Sequence, residues 1–518
     1  MTADGPLVGR RPRWHLPPPR RTWVHTGGAL AGWAFVVCAG GMAVAAVREA
    51  TASGDRLSGV TAATAVVGLL GAASLRWLVV RPDPSPGEVF RSVAQLWVVV
   101  SVAGAVPYVT TGTLGPFDAL FESSSGFSCT GSTTIADLAV VDPGIVLWRQ
   151  LTNWIGGLGL VILAVSVLPF LGVGGLSLMA AEAPGPGSDR MAPRLSGAAR
   201  RLLGIYLVLT ATCAVGLVLG GTTPLDGAMF AMSAVSGGGF APFDDSAGHY
   251  DSVVIELVLV AGMLAGATSF VLHWRAAHGR PGAYLRSSQF RSFLTIIGGA
   301  TVLTAAIQAA DGASAATAVR DGLFQIVTIA ATCGLVNIRE GGGGDYSLWP
   351  VAAQLVLLVP FASGGMTGST AGAMKVLRLQ VMAQIARREI RRVVHPTAAV
   401  PVVLDGHRVG ADVVSRVIGF SVWYFLVAVG GVVALALLGV DLVTGMGITL
   451  GSMGGSGLGL GAAGPTTNAL IFDAPARAVL ALLMLAGRLE IFALVVVATG
   501  AVRRARTTAV AAADRLSR

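Results

Sequence analysis

Ten stretches of this chain are apolar over about 20 residues, the length an α-helix needs to cross a hydrocarbon core about 30 Å thick. They lie near 23–47, 58–80, 89–108, 145–172, 201–221, 252–274, 292–310, 348–376, 413–440 and 475–500. Hydrocarbon offers no partner to backbone N–H and C=O groups, so segments of this kind are confined to helices that satisfy those groups internally. Composition points the same way. Of 518 residues 53% are hydrophobic and only 12% charged, with a mean hydropathy of +0.72. Soluble proteins carry about 25% charged residues, so a water-facing surface of this size could not be assembled from the charge available. The expected fold is an all-α polytopic membrane protein with about ten transmembrane helices. A coiled coil, a disordered tail and a secreted disulfide scaffold are excluded, and Cys38, Cys129, Cys213 and Cys333 lack the paired spacing of a metal site or a disulfide framework.

The net charge of +9 would suggest nucleic acid in a soluble protein. Here the basic residues, all arginine except Lys375, fall in short runs between apolar stretches. One set of loops holds Arg76, Arg81 and Arg91; Arg190, Arg194, Arg200 and Arg201; Arg275, Arg280, Arg286 and Arg291; Arg378, Arg387, Arg388, Arg391 and Arg392; and Arg503, Arg504 and Arg506. The alternate loops hold Asp137, Asp142, Asp244, Asp245, Asp251 and Asp345. Basic loops stay in the cytoplasm, which places a cytoplasmic N-terminus at 1–22 in a multi-pass protein of the cell membrane and leaves no role for nucleic acid. The apolar stretch after Arg10, Arg11, Arg13, Arg20 and Arg21 is long and lacks a clear cleavage site, so it reads as a retained first span.

Between the spans lie four apolar segments too short to cross, near 118–130, 226–238, 321–333 and 441–454. Each begins with an aspartate (Asp118, Asp226, Asp321, Asp441) and reaches a glycine (Gly131, Gly239, Gly334, Gly455) after 13, 13, 13 and 14 residues. A repeat of this kind defines a unit of helix, half-length segment, glycine loop and helix. The four units occupy 88–172, 197–276, 289–395 and 411–505, with two extra helices at 23–80 in front and a cytoplasmic tail at 506–518.

Aspartate suits a helix N-cap and the positive end of the helix dipole. About ten helical residues rise roughly 15 Å, half a bilayer. Each segment is therefore expected to enter from outside, stop near the midplane and return as extended backbone, which is tolerated at that depth only beside a wet cavity or inside protein. The C-terminal end of such a half-helix favours a cation, and glycine permits the turn of backbone that follows. Four such loops around one axis offer a ring of carbonyls in place of a hydration shell. The loops carry no acidic side chain, and divalent ions usually take carboxylates, so a monovalent cation is expected. The competing reading is that the glycines serve only close helix packing.

The motifs resemble those of the TrkH/KtrB-type potassium transporters of the Trk/Ktr/HKT superfamily, in its TrkH branch, over nearly the whole chain from about residue 88. Ser125–Gly126–Phe127 through Thr130–Gly131 resembles the first filter loop, followed by Trp148–Arg149–Gln150–Leu151 and Trp154–Ile155–Gly156–Gly157–Leu158–Gly159. Ser236–Gly237–Gly238–Gly239–Phe240 resembles the second filter loop. Gly368–Ser369–Thr370–Ala371–Gly372 with Lys375 resembles the loop interrupting the last span of the third unit, and Gly487–Arg488–Leu489–Glu490 a signature in the final span. Gly237, Met453 and Ser456 depart from residues common in relatives.

The resemblance implies a potassium pore that is not an enzyme and needs no cofactor. Potassium would be held at Cys129, Thr130, Gly131, Gly237, Gly238, Gly239, Thr332, Cys333, Gly334, Gly454, Gly455 and Ser456. It implies a gate formed by Gly364, Gly365, Thr367, Gly368, Ser369, Thr370 and Gly372 together with Arg488, where the bland alternative for the loop is a hinge. An arginine at a span centre costs about 2.5–3.5 kcal/mol on insertion scales, which favours a place facing the pore as a positive barrier over a structural pairing. Lys375 either holds the gate or snorkels to the inner surface. The resemblance further implies a homodimer and a cytoplasmic TrkA/KtrA-type nucleotide-binding ring; Arg387, Arg388, Arg391 and Arg392 would face that ring or membrane lipid, or serve orientation alone. The alternatives within the fold are a less selective sodium and potassium transporter or a cation-coupled symporter. An organic-solute carrier would show two inverted halves, and an intramembrane enzyme would need converging acids or histidines.

Overall fold

The computed structural model describes residues 22–53, 59–75, 86–166, 191–397, 400–489 and 491. Glu490, Arg76, Arg81, Arg190, the basic N-terminus, the arginines at 503–506 and the far ends of the spans expected at 145–172 and 475–500 lie outside the described residues.

The protein is an all-α polytopic membrane protein whose helices follow the fourfold plan. The leading pair is α1 (Thr22–Ser53) and α2 (Gly59–Leu75). Unit one comprises α3 (Pro86–Thr110), the short α4 (Pro116–Phe127) and α5 (Pro143–Ser166). Unit two comprises α6 (Met191–Leu219), the short α7 (Pro224–Ser236), α8 (Val253–Ala267) and α9 (Phe270–Ala277). After a single turn, α10 (Ala283–Arg286), unit three runs through α11 (Ser288–Ala310), the short α12 (Ala315–Ala330), α13 (Val351–Ser363) and α14 (Val376–Val394). A two-residue hairpin, β1 (Val403–Leu404) with β2 (His407–Arg408), leads to unit four: α15 (Ala411–Leu437), the short α16 (Leu442–Gly454) and α17 (Ala474–Arg488).

Helices α1, α3, α6, α11 and α15 each contain an apolar window long enough to cross a bilayer unaided. Their outward faces carry large exposed apolar side chains such as Val102, Val208, Val302 and Phe425, as a lipid-facing surface requires. The expected span at 252–274 is not one straight helix: α8 and α9 meet at 101° across Thr268–Ser269. The span expected at 348–376 is helical only from Val351 to Ser363, after which residues 364–375 turn inward before α14 begins.

The half-length helices run 12, 13, 16 and 13 residues, and their starts correct the expectation that aspartate caps each one. Asp441 does cap α16, accepting from Thr444 N–H at 3.0 Å, and those Thr444 bonds hold its carboxyl below the usual carboxylate range. In α7 the cap is Thr223, with Asp226 one turn in, and Pro224 opens the helix. In α4 a glycine, Gly115, precedes Pro116, and Asp118 turns aside to pair with Arg477 of α17 at 3.1 Å. In α12 the cap is Ser314, and Asp321 lies buried in the second turn, paired with Arg339. A small hydroxyl or a proline start serves the helix end as well as an acid does, which frees Asp118 for a tie to unit four and Asp321 for one within unit three.

Three apolar clusters surround the centre. One joins α1 and α2 to unit one, the largest joins units two and three, and one packs unit four around Phe420, Leu480 and Met484 against Phe121 of α4. Glu49 of α1 is buried and accepts from Gly144 N–H at the start of α5 at 2.8 Å, locking the leading pair onto unit one.

Candidate pore centre

At the end of each half-length helix the chain makes the same turn. The residues after α4, α7, α12 and α16 reach positive φ twice, two residues apart: Cys129 (53°) and Gly131 (81°), Gly237 (67°) and Gly239 (80°), Thr332 (53°) and Gly334 (90°), Gly455 (85°) and Gly457 (64°). The residue between each pair donates its N–H to the carbonyl five residues back: Thr130 to Ser125, Gly238 to Ser233, Cys333 to Thr328 and Ser456 to Gly451, at 2.8–3.0 Å. This is a helix C-terminal turn that consumes an orphan carbonyl. It sets four equivalent triplets, 129–131, 237–239, 332–334 and 455–457.

The four triplets close on one another. A β-carbon placed on Gly131 would lie 2.6 Å from the Gly238 carbonyl oxygen. One on Gly239 would meet the Cys333 oxygen, one on Gly334 the Ser456 oxygen, and one on Gly457 the Thr130 oxygen. Each final glycine therefore abuts the preceding carbonyl of the next loop, and the sequence of contacts returns to its start. These contacts fix the register of the fourth loop. Gly457 is the counterpart of Gly131, Gly239 and Gly334; Gly455 matches Cys129, Gly237 and Thr332, and Gly454 precedes the triplet. Counting from the aspartates misplaces this loop because Asp441, the cap of α16, stands 14 residues before its triplet where the other three aspartates stand 11. The alignable signal was the five-residue frame FSCTG, VSGGG, AATCG and MGGSG, each ending in glycine.

On one side of the ring opens a cavity of about 170 Å³, lined by Gly131, Gly239, Gly334 and Gly457 and by return-loop residues including Asp244 and Asn468. The return loops are pinned by polar contacts. Glu122 of α4 is fully buried and accepts from Thr133 Oγ1 (2.9 Å), Thr134 N–H (2.8 Å) and Arg149 Nε (2.8 Å). The Arg149 guanidinium in turn stacks 4.2 Å from the Phe240 ring and donates to the Ala241 carbonyl at 3.4 Å, so one buried ion pair ties loop one to loop two. Ser132 Oγ donates to the Gly457 carbonyl at 3.1 Å, tying loop one to loop four, and Tyr346 Oη donates to the Gly459 carbonyl at 2.7 Å, tying unit three to loop four. The role of Glu122 was not anticipated from sequence; an acid in a half-length apolar helix was the available signal. Asp244 accepts from Leu138 N–H, Asp245 pairs with His249, and Asp251 pairs with Arg320, so these acids serve loop structure.

On the opposite side of the ring lies the interrupted segment of unit three. Thr370 Oγ1 shares its one proton between the Val235 and Gly266 carbonyls, both at 3.0 Å, and Gly372 N–H donates to Thr332 Oγ1 at 2.8 Å. Met366 N–H binds the Ala267 carbonyl at 2.9 Å, and Gly372 packs against the Gly454 carbonyl. Gly364 and Gly365 form the entry to this segment, and Thr367, Gly368 and Ser369 the turn that meets α9 and Gln289 of α11. Lys375 is buried (3% exposed) at the start of α14 and does not reach a surface.

Arg488 is buried (6% exposed) beneath the ring. Its guanidinium donates to the Thr370 carbonyl (3.1 Å), Cys129 Sγ (2.9 Å) and the Gly156 carbonyl (3.4 Å), joining units four, three and one at a single point. Its place in the repeat is defined by the glycine before it. Gly156, Gly266 and Gly487 each pack against the carbonyl two residues before a triplet, those of Phe127, Val235 and Met453. The residues that follow are Gly157, Ala267 and Arg488. The fourth unit thus carries a charged side chain where the first two carry almost none.

Among the described residues no cluster of three or more His, Cys, Asp or Glu side chains is arranged to hold a metal, and all four cysteines are free and buried. The centre thus brings backbone carbonyls of four loops into mutual contact, with an open cavity on one side and the buried Arg488 on the other.

A profile of the family described as TrkH, cation transport protein, matches residues 84–504. The Trk system potassium uptake protein TrkH of Halomonas elongata is 35% identical over 421 residues, 80% of this chain and 85% of that one. Its counterpart in Escherichia coli is 32% identical over 418 residues, again 80% and 85%. The crystal structure of the potassium transporter TrkH from Vibrio parahaemolyticus superposes with a TM-score of 0.81 at 30% identity, covering 91% of this chain and 98% of that one.

Proposed function

The chain belongs to the TrkH family of cation transport proteins, a family of transporters and not of enzymes, and from that premise we propose that it takes up potassium through its own fourfold centre. The observation that carries the reading is the closed sequence of contacts among the four loop triplets, in which the final glycine of each loop abuts a backbone oxygen of the next. A dehydrated monovalent cation exchanges its water for such oxygens. Residues 129–131, 237–239, 332–334 and 455–457 are the proposed filter, and the 170 Å³ cavity is its entry from outside.

The interrupted segment 364–375 is the proposed gate. It is a non-helical stretch under the ring, held by individual hydrogen bonds that can be exchanged one at a time. Arg488 is the proposed barrier, since a cation leaving the filter meets its charge in a low-dielectric setting where that charge counts for more than in water. The arginine distribution supports a cytoplasmic N-terminus and inward flow. A second copy of the chain and a cytoplasmic nucleotide-binding ring of the TrkA/KtrA type are the proposed partners. The exposed Arg387, Arg391 and Arg392 on α14 are the proposed contacts of such a ring.

Rubidium uptake into proteoliposomes, with reversal potentials measured against potassium, sodium and proton gradients, tests the reading. Uptake that follows the potassium gradient and excludes sodium is expected. Equal movement of both ions would convert the reading to a less selective sodium and potassium transporter, proton- or sodium-driven uptake would make the protein a symporter, and no cation flux with or without the ring partner would end it.

A further inference from the structure

The second filter loop is built of three consecutive glycines, Gly237–Gly238–Gly239, and has no side chain of its own to hold it. Its own helix holds it through backbone bonds alone, Gly237 and Gly238 N–H to the Ser233 carbonyl. The neighbour behind Gly238 is Asn153 of α5, whose amide lies so close that a β-carbon on Gly238 would fall 2.5 Å from Nδ2 and 2.6 Å from Cβ. Asn153 is fully buried, yet neither Oδ1 nor Nδ2 has a hydrogen-bond partner. Its main-chain carbonyl accepts from Cys129 Sγ at 3.2 Å, so the residue stands in the seam between loops one and two. One turn away on the same face, Arg149 is fully engaged with Glu122 and Ala241; one turn the other way, the Gly156 carbonyl accepts from Arg488.

Packing alone does not call for an amide here. Counting back three residues from Gly266 and Gly487, the corresponding places on α8 and α17 hold Met263 and Met484. A buried donor or acceptor without a partner costs about 1–3 kcal/mol, and native proteins keep few of them. Loop three shows what such a polar group does at this depth: Thr328 Oγ1 accepts from Gly334 N–H at 3.1 Å and steadies the filter backbone from its own pore helix. The counterpart in loop two, Ser233 Oγ, makes no bond. Loop two therefore has backbone bonds to its own helix but no side-chain tie, and an unspent amide lies directly behind it.

We propose that Asn153 is a specificity-determining positioning residue, its side-chain amide bonding the Gly237–Gly239 backbone as the loop closes on an ion and so holding the four carbonyls at the spacing potassium needs. The inference rests on the carbonyl-ring reading above. Asn153→Leu in the full-length protein removes the amide at nearly constant volume. Sodium exclusion, read as the shift in reversal potential under bi-ionic conditions, is expected to fall about three- to tenfold, the range a single net hydrogen bond supports. Thermal stability in detergent is expected to hold or rise, because an unsatisfied polar group has been removed. Asn153→Met, which copies the other two seams, is expected to behave alike. A folded Asn153→Leu or Asn153→Met with wild-type selectivity overturns the proposal, as does failure of both variants to fold, which would make the residue a packing element. Gly457→Ala measured alongside separates the two levels. If it loses selectivity while the Asn153 variants keep it, only this inference fails; if it too keeps selectivity, the ring reading fails.

Discussion

The register of the fourth loop yields the sharpest test of the proposed pore. Gly455 and Gly457 both have positive φ (85° and 64°), so alanine at either carries the left-handed penalty of about 1–2 kcal/mol. Their surroundings differ. A β-carbon at 455 has Cys129 O as its nearest neighbour at 3.6 Å, an ordinary contact, whereas one at 457 would overlap the Thr130 carbonyl oxygen and lie 2.8 Å from Ser132 N. To relieve that overlap, loop one or loop four must move by roughly 1.3–1.8 Å to reach normal contact distances of about 3.5–4.0 Å. Both partners belong to the ring, so the displacement falls on its carbonyls. A change of about 1.4 kcal/mol in the relative energies of two ions is a tenfold change in selectivity. Gly457→Ala is therefore expected to lose at least about tenfold in potassium-over-sodium preference, while Gly455→Ala loses stability and keeps most of its preference. Reversal potentials of both variants in liposomes, with unfolding followed in detergent, supply the comparison. Equal losses, or a larger loss at 455, would refute the ring geometry argued from the contacts.

Arg488→Ala removes the charge beneath the ring; at an effective dielectric of about 20, a unit charge within about 8 Å raises a cation's energy by about 2 kcal/mol, so flux is expected to rise roughly thirtyfold. Unchanged flux in a folded variant, measured as rubidium uptake, would leave Arg488 a structural tie among three units. Glu122→Gln strands the buried Arg149 and is expected to cost about 3–5 kcal/mol of stability; a loss under about 1 kcal/mol in detergent unfolding would mean that the pair does not hold loops one and two together.

Much of this protein was legible before any coordinates. The number and length of the apolar stretches, the low charge and the solvent properties of a bilayer fix an all-helical membrane protein, because no other backbone arrangement satisfies itself in hydrocarbon. The four short segments between spans disclosed the repeat, since a helix of 12–16 residues cannot cross. Local physics also marked residues 362–372 as a place where a helix cannot continue dry.

Other features were decided only by tertiary contact. Asp118, Asp226, Asp321 and Asp441 look alike in sequence, yet three of them ended inside their helices and two serve ties to Arg477 and Arg339. The caps went to Thr223, Ser314 and Gly115 because short-range capping is satisfied by several residue types, so sequence alone does not choose among them. The count from Asp441 points to Gly455, and the approach of Thr130 from a loop more than 300 residues away identifies Gly457, which the MGGSG frame also marks. Glu122 and Asn153 acquire their meaning the same way. What a buried polar group does depends on which partner the fold brings within 3 Å of it, and that is a property of the closed ring and not of any one segment.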